Sequence, residues 1–214
     1  MLIDLIDRLR CPIAHEEICL VATAIRTANR RILDGILGCP VCGAEFAIRE
    51  GEVWFGDEEI PPAAAVNIDL PNEAIRLCAL LALEEPGQLH VLAGSWSALA
   101  NELGRFVPTV LLLLSPPPGL TRFSTLRAAG DFVPLAAGCA KGVAIDRPST
   151  VLATAAAQIL ATRGRLIAPA STAVPASIRL LALDDRHWVG ERLPSPAQPV
   201  LVTPQRARPA GATP

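Results

Sequence analysis

Gly38-Cys39-Pro40-Val41-Cys42-Gly43 decides how the amino-terminal part of this chain is read. Two thiols separated by two residues can point at one ion from a tight turn, and zinc takes about four such ligands at roughly 2.0–2.3 Å. The glycines on either side and the proline within let the turn tighten until backbone N–H groups face the sulfurs. Upstream, Cys11-Pro12 echoes Cys39-Pro40, which makes Cys11 the natural third ligand. A second C-x-x-C would place a thiol at position 14, where Ala14 stands; His15 follows and offers an imidazole nitrogen. The expected metal ligands are therefore Cys11, His15, Cys39 and Cys42. Cys19, within the apolar alternation of Ile18–Val21, is the competing fourth ligand. Four protein ligands leave no open position, so such an ion is structural. It would supply folding free energy that so small a β domain lacks.

Around this knuckle the chain reads as short strands. Ile18–Arg26 is β-rich, Thr27-Ala28-Asn29-Arg30 makes a turn, and Arg31–Leu37 returns toward Cys39. Glu45–Arg49 and Glu52–Phe55 form a second hairpin about Glu50-Gly51. Ahead of them, Leu2–Leu9 carries apolar residues in a helical stripe that stops before Cys11.

The whole chain has 214 residues, 51% hydrophobic and 19% charged, with a net charge of −2. Mean hydropathy is +0.39. No apolar run approaches the roughly 20 residues that span a bilayer, so membrane insertion is not expected. The acidic balance argues against a nucleic-acid partner; Arg26, Arg30 and Arg31 form only a local basic cluster. Six cysteines without a signal-peptide pattern point to a reducing, cytoplasmic setting.

Past Phe55 the pattern changes. Residues 57–70 read as a Pro- and Ala-rich linker, 71–193 as an α/β domain, and 194–214 as a disordered tail rich in Pro and Ala. Within the α/β domain, helices are expected over Asn72–Leu83 with Asn72 as N-cap, Ser95–Leu103 ending at Gly104, Leu120–Ala128, and Ser149–Ala161 with Ser149 as cap. Strands are expected over Leu89–Ala93, Thr109–Leu114, Val143–Asp146, Arg165–Ala168 and Ile178–Leu183. Alternation of this kind implies βαβ units. Asp184, Asp185 and His187 are placed on a surface turn after the last strand, and His90 in the core or at its rim.

Two resemblances follow. Arg31–Phe55, with the earlier Cys11-Pro12 and the segment Phe46-Ala47-Ile48-Arg49-Glu50-Gly51, resembles the small zinc-binding domain of the methyltransferase-activator family, over the first 56 residues. That likeness implies a domain that stabilises a methyltransferase; Ala14 departs from its pattern. Residues 71–193 resemble the class I S-adenosylmethionine-dependent methyltransferase fold. The resemblance lies in the order of elements, in Gly130-Asp131-Phe132-Val133-Pro134-Leu135, and in Ala155–Gly164 leading into Arg165–Ala168. It implies a Rossmann-like sheet with the cofactor against Gly94, Ser95, Ser115 and Asp131.

At those places the chemistry is thin. One glycine, Gly94, precedes a bulky Trp96 where a Gly-rich turn is needed. Ser115-Pro116-Pro117-Pro118 stands where a carboxylate would hold the ribose. The expectation is a zinc-binding scaffold with a catalytically silent methyltransferase-like domain and a protein partner. The alternative is an active methyltransferase carrying its activator domain in cis.

Overall fold

The computed structural model of the protein describes residues 1–56 and 70–194. The linker expected at 57–70 and the tail expected at 194–214 lie outside the described residues but for Leu70 and Pro194. The amino-terminal segment forms a 3-10 helix, Ile3–Arg8, followed by four strands: β1 (Val21–Ala28), β2 (Arg31–Gly38), β3 (Glu45–Arg49) and β4 (Glu52–Phe55). Helix α1 (Leu70–Leu81) leads to β5 (Leu89–Ala93), a 3-10 helix Gly94–Leu99 and α2 (Ala100–Phe106). Then come β6 (Val110–Leu114), β7 (Ser124–Ala128), β8 (Ala140–Ala144), α3 (Thr150–Ile159), β9 (Leu160–Pro169), β10 (Ile178–Leu183) and β11 (His187–Arg192).

The eleven strands of the described residues belong to one sheet, in the order β1-β2-β3-β4-β7-β6-β5-β8-β9-β11-β10. The five central strands β7-β6-β5-β8-β9 are parallel. Numbered by themselves they run 3-2-1-4-5, the order of a doubly wound Rossmann-like sheet. The first four strands form an antiparallel meander. Its two tight turns put positive φ on Asn29 (49°), Arg30 (59°), Glu50 (51°) and Gly51 (84°), the signature of hairpin turns that match strand twist. The meander does not stand apart. β4 pairs in parallel with β7, Glu52 opposite Thr125 through Phe55 opposite Ala128, so the sheet runs across residue 56. Arg127 clamps the junction by donating to both oxygens of Glu52 at 2.9 and 3.0 Å.

The two faces are covered differently. On one, α1, the 3-10 helix Gly94–Leu99 and α2 bury Leu77, Leu81, Leu99 and Leu103 against Leu92, Leu111 and Leu113. On the other, α3 covers β8 and β9, while β6→β7 and β7→β8 cross without a helix. Residues 1–9 cover what those loops leave bare: Met1, Leu5 and Leu9 are buried in one cluster with Leu112, Leu114 and Leu126. Arg10 N–H donates to Pro134 O and Ala136 N–H to Arg8 O, fastening the segment to the β7–β8 loop.

Several expectations change here. Leu120–Ala128 is not a helix; Ser124–Ala128 is strand β7, since its backbone groups are taken by β6 and β4 on its two sides. Leu2–Leu9 winds as 3-10. Asn72 lies inside α1 rather than before it, and α2 runs through Gly104 to Phe106. A strand, β11, is added at His187–Arg192 between β9 and β10, so His187 opens a strand instead of sitting on a terminal turn. Ser149 caps α3 as expected, accepting from Leu152 N–H at 3.1 Å.

His90 is 1% exposed. Thr109 Oγ1 donates to Gln88 O, so it accepts from His90 Nδ1–H at 2.8 Å. Nε2 is then an unprotonated nitrogen, buried without a partner. The ring lies over Gly142, where a Cβ would come within 2.7 Å of it. Burial holds its pKa down to about 4, against an ordinary 6.5. The unfolded chain therefore binds the proton first. The contribution to stability is complete above pH 6.5 and falls as pH drops toward about 4. A gap of this size corresponds to a loss of about 3 kcal/mol. Urea unfolding across that window should show this loss, and His90→Leu should flatten it.

Candidate metal centre and strand-end crevice

The knuckle occupies residues 39–44, between β2 and β3. Gly43, at φ 71°, closes it by donating N–H to Cys39 O at 3.0 Å, and Cys39 N–H donates to Ala44 O at 2.8 Å. Cys11 arrives from the end of the 3-10 segment, its N–H donating to Ile18 O at 3.3 Å. His15 lies in the intervening loop, with Nδ1 2.6 Å from Glu16 O, which leaves Nε2 facing the thiols.

The structure brings the four sequence-predicted ligands together. The ligand atoms of Cys11, His15, Cys39 and Cys42 all lie within 4.8 Å of one another. Cys11 Sγ stands 3.8 Å from Cys42 Sγ, and Cys39 Sγ 3.4 Å from His15 Nε2. A tetrahedron of sulfurs about 2.3 Å from zinc has edges of about 3.8 Å, so this donor set suits a structural zinc ion. Cys19 is outside the cluster; its sulfur approaches Asp7 O at 4.0 Å.

The thiols are prepared unequally. For Cys39, burial alone would raise the pKa, but backbone N–H groups of Cys42 and Val41 and the Cys42 and Cys11 thiols together lower it to about 6. For Cys11, burial and the neighbouring sulfurs raise it to about 11. One thiolate is thus in hand at neutral pH, and a metal ion would drive proton release from the rest of the set.

The second candidate site is the crevice at the carboxyl ends of β5 and β8, where successive crossovers leave in opposite directions. Ligands of doubly wound sheets enter at this switch point. Gly94 opens its 3-10 helix at φ 56°, and a Cβ on it would fall inside the carboxylate of Asp146. Ser95 N–H donates to Asp146 Oδ2 at 2.7 Å. Trp96, 7% exposed, donates Nε1–H to Ile145 O at 3.2 Å and packs against His187 in a tilted arrangement, ring centroids 5.0 Å apart and planes at 54°.

The other expected contact residues are also engaged. Ser115 ends β6 at φ 47°, donates Oγ–H to Ala128 O at 3.1 Å and accepts from Ala128 N–H at 3.3 Å. Asp131 accepts from Ser149 Oγ at 2.6 Å and faces Arg147 at 3.4 Å. Three of the four residues expected to meet S-adenosylmethionine, Ser95, Ser115 and Asp131, thus hydrogen-bond within the chain, and the fourth, Gly94, lies against the Asp146 carboxylate. Sequence reading missed Asp146, the residue that joins β8 to the β5 turn. Its place at the end of an apolar strand was the available signal.

The basic cluster is likewise committed. Arg26 pairs with Asp34, Arg30 with Asp4 at 2.9 Å, and Arg31 donates to the carbonyls of Thr121, Arg122 and Phe123. Among the described residues no helix is long and apolar enough to cross a membrane.

No family model matches this chain, and no curated protein matches it. Solved structures align with it at low identity. One is the antibiotic-resistance methyltransferase Kmr, at 14% identity over 57% of this chain and 93% of that one, with a TM-score of 0.40. Another is the 4+2 cyclase SpnF, at 10% identity over 60% and 63%, with a TM-score of 0.43. A third is geranyl diphosphate C-methyltransferase from Streptomyces coelicolor, of whose length the chain spans 44%, at 14% identity and a TM-score of 0.35. The fold assignment rests instead on the strand order: the protein is a Rossmann-like α/β protein whose sheet is prolonged by a β-meander bearing a Cys/His cluster.

Gly94→Ala adds a methyl group against Asp146 and a strained φ, and should cost about 2 kcal/mol in urea unfolding. Adding Asp146→Ala to that variant should recover part of the loss by clearing the space.

Proposed function

We propose that the protein is a zinc-stabilised interaction or scaffold protein whose α/β part is a methyltransferase-like domain without catalytic function. The observation that carries this reading is the self-satisfied switch-point crevice. Ser95 N–H, the donor nearest the turn, is spent on Asp146, and Trp96 packs into the same region. A ligand entering there would have to displace a charge-assisted hydrogen bond and a buried indole.

The zinc ribbon supports the body from within the same chain. A structural ion at Cys11, His15, Cys39 and Cys42 ties the residues after the 3-10 segment to the β2–β3 turn. β4 in turn covers the edge of β7. This is how the activator-family likeness reads on this fold: the supporting domain docks in cis. The partner in the scaffold reading is another protein, and the setting is a reducing cytoplasm, where such thiols stay available to metal.

Two measurements test the reading. Metal analysis of the purified chain should find one zinc ion per molecule. Cys39→Ser should abolish retention and lower stability by about 2 kcal/mol or more, a fall of roughly 4–8 °C in Tm. Calorimetric titration with S-adenosylmethionine or its demethylated product should show no binding up to millimolar concentration. Micromolar affinity would overturn the silent-domain reading in favour of an active enzyme with its activator in cis.

A further inference from the structure

We propose that Cys11 and Cys42, not the sequence-adjacent Cys39 and Cys42, form a reversible disulfide when the centre meets a hydroperoxide, and that this modification ejects the metal ion. The inference rests on the zinc reading above. It follows from how differently the three sulfurs are held.

Cys42 is exposed and Cys11 half-buried, while Cys39 is buried at 3% exposure. The Cys11 and Cys42 sulfurs already stand 3.8 Å apart, so a disulfide of about 2.05 Å needs a closure of roughly 1.8 Å. The Cys11 side can supply it. Pro12, Ile13 and Ala14 after it are exposed and outside any helix or strand. Cys39 is anchored instead: its backbone holds Ala44 and Gly43, and its sulfur faces His15 Nε2 and the N–H groups of Val41 and Cys42. An oxidant arriving from solvent meets Cys42 first, and the sulfur beside it with freedom to move is that of Cys11.

The chemistry balances with a hydroperoxide as oxidant. The Cys42 thiolate attacks the terminal peroxide oxygen; the O–O bond breaks, leaving a sulfenic acid on Cys42 and an alkoxide. The Cys11 thiolate then attacks that sulfur, the S–S bond forms, and hydroxide departs. Two electrons pass from the sulfurs to the peroxide, and solvent protonates alkoxide and hydroxide to alcohol and water. With two of four ligands gone, zinc leaves as the unchanged divalent ion. A dithiol reductant reverses the bond and restores the site.

The test uses the zinc-loaded full chain treated with hydrogen peroxide. A chromogenic chelator reads released zinc, and mass spectrometry maps disulfides after the remaining thiols are alkylated. The expected result is zinc release in proportion to a Cys11–Cys42 cross-link, both reversed by dithiol and both unchanged in Cys19→Ser and Cys139→Ser. A Cys39–Cys42 link, a link through Cys19, release without a disulfide, or retention of zinc would each overturn it. If the purified chain holds no zinc, the zinc reading fails separately, and the cross-link map alone decides: Cys11–Cys42 upholds the pairing, and any other pattern refutes it.

Discussion

The pairing of β4 with β7 is the contact on which this architecture depends. β7 follows β6 without a covering helix and would otherwise be the bare edge of a parallel sheet, with a row of unpaired N–H and C=O groups. β4 satisfies that row in parallel register, and the Glu52–Arg127 fork adds a half-buried, charge-assisted lock. Residues 1–9 complete the closure by supplying the apolar layer that the helix-less crossovers lack. The meander and the α/β body are therefore one sheet, and on one of its faces they share a continuous core cluster. What orders the knuckle at residues 39–44 is transmitted through β2, β3 and β4 to the centre of the protein.

The two candidate sites show opposite uses of polar groups. At the knuckle, three sulfurs and a ring nitrogen converge, and the strongest partner they can share is an ion. At the carboxyl ends of the parallel strands, the groups expected to meet a ligand are bonded within the chain: Ser95 to Asp146 after β5 and β8, Ser115 to Ala128 after β6 and β7, and Asp131 to the α3 cap Ser149. A buried polar group needs a partner, and whether that partner is internal or external separates a framework from a binding pocket.

Much of this was legible in local chemistry. The hairpins at 21–38 and 45–55 follow from β-rich runs around two-residue turns, and the Cys-Pro echo points to Cys11, Cys39 and Cys42, while the choice of His15 over Cys19 beside them is made by the fold. Ser149 announces α3 because a cap needs only its own next three residues. β7 was misread because Leu120, Phe123 and Leu126 are spaced as on a helix; only the strands flanking Ser124–Ala128 decide otherwise. β11 was overlooked because a short antiparallel strand wedged between β9 and β10 has no signature beyond Trp188 and Val189.

By itself, then, the order of residues determined the elements whose causes are local: tight turns, a helix cap, an apolar central strand, and a Cys-Pro-Val-Cys turn with candidate metal ligands around it. Only the tertiary structure decided that the meander and the α/β body share one sheet, and that Asp146 meets the Ser95 N–H while the Trp96 indole bonds Ile145 O at the turn after β5. Those outcomes depend on groups far apart in the chain, such as β4 against β7 and Asp146 against Ser95. A local pattern records what a segment can do, and the competition among distant partners for the same hydrogen-bonding groups settles which possibility is realised.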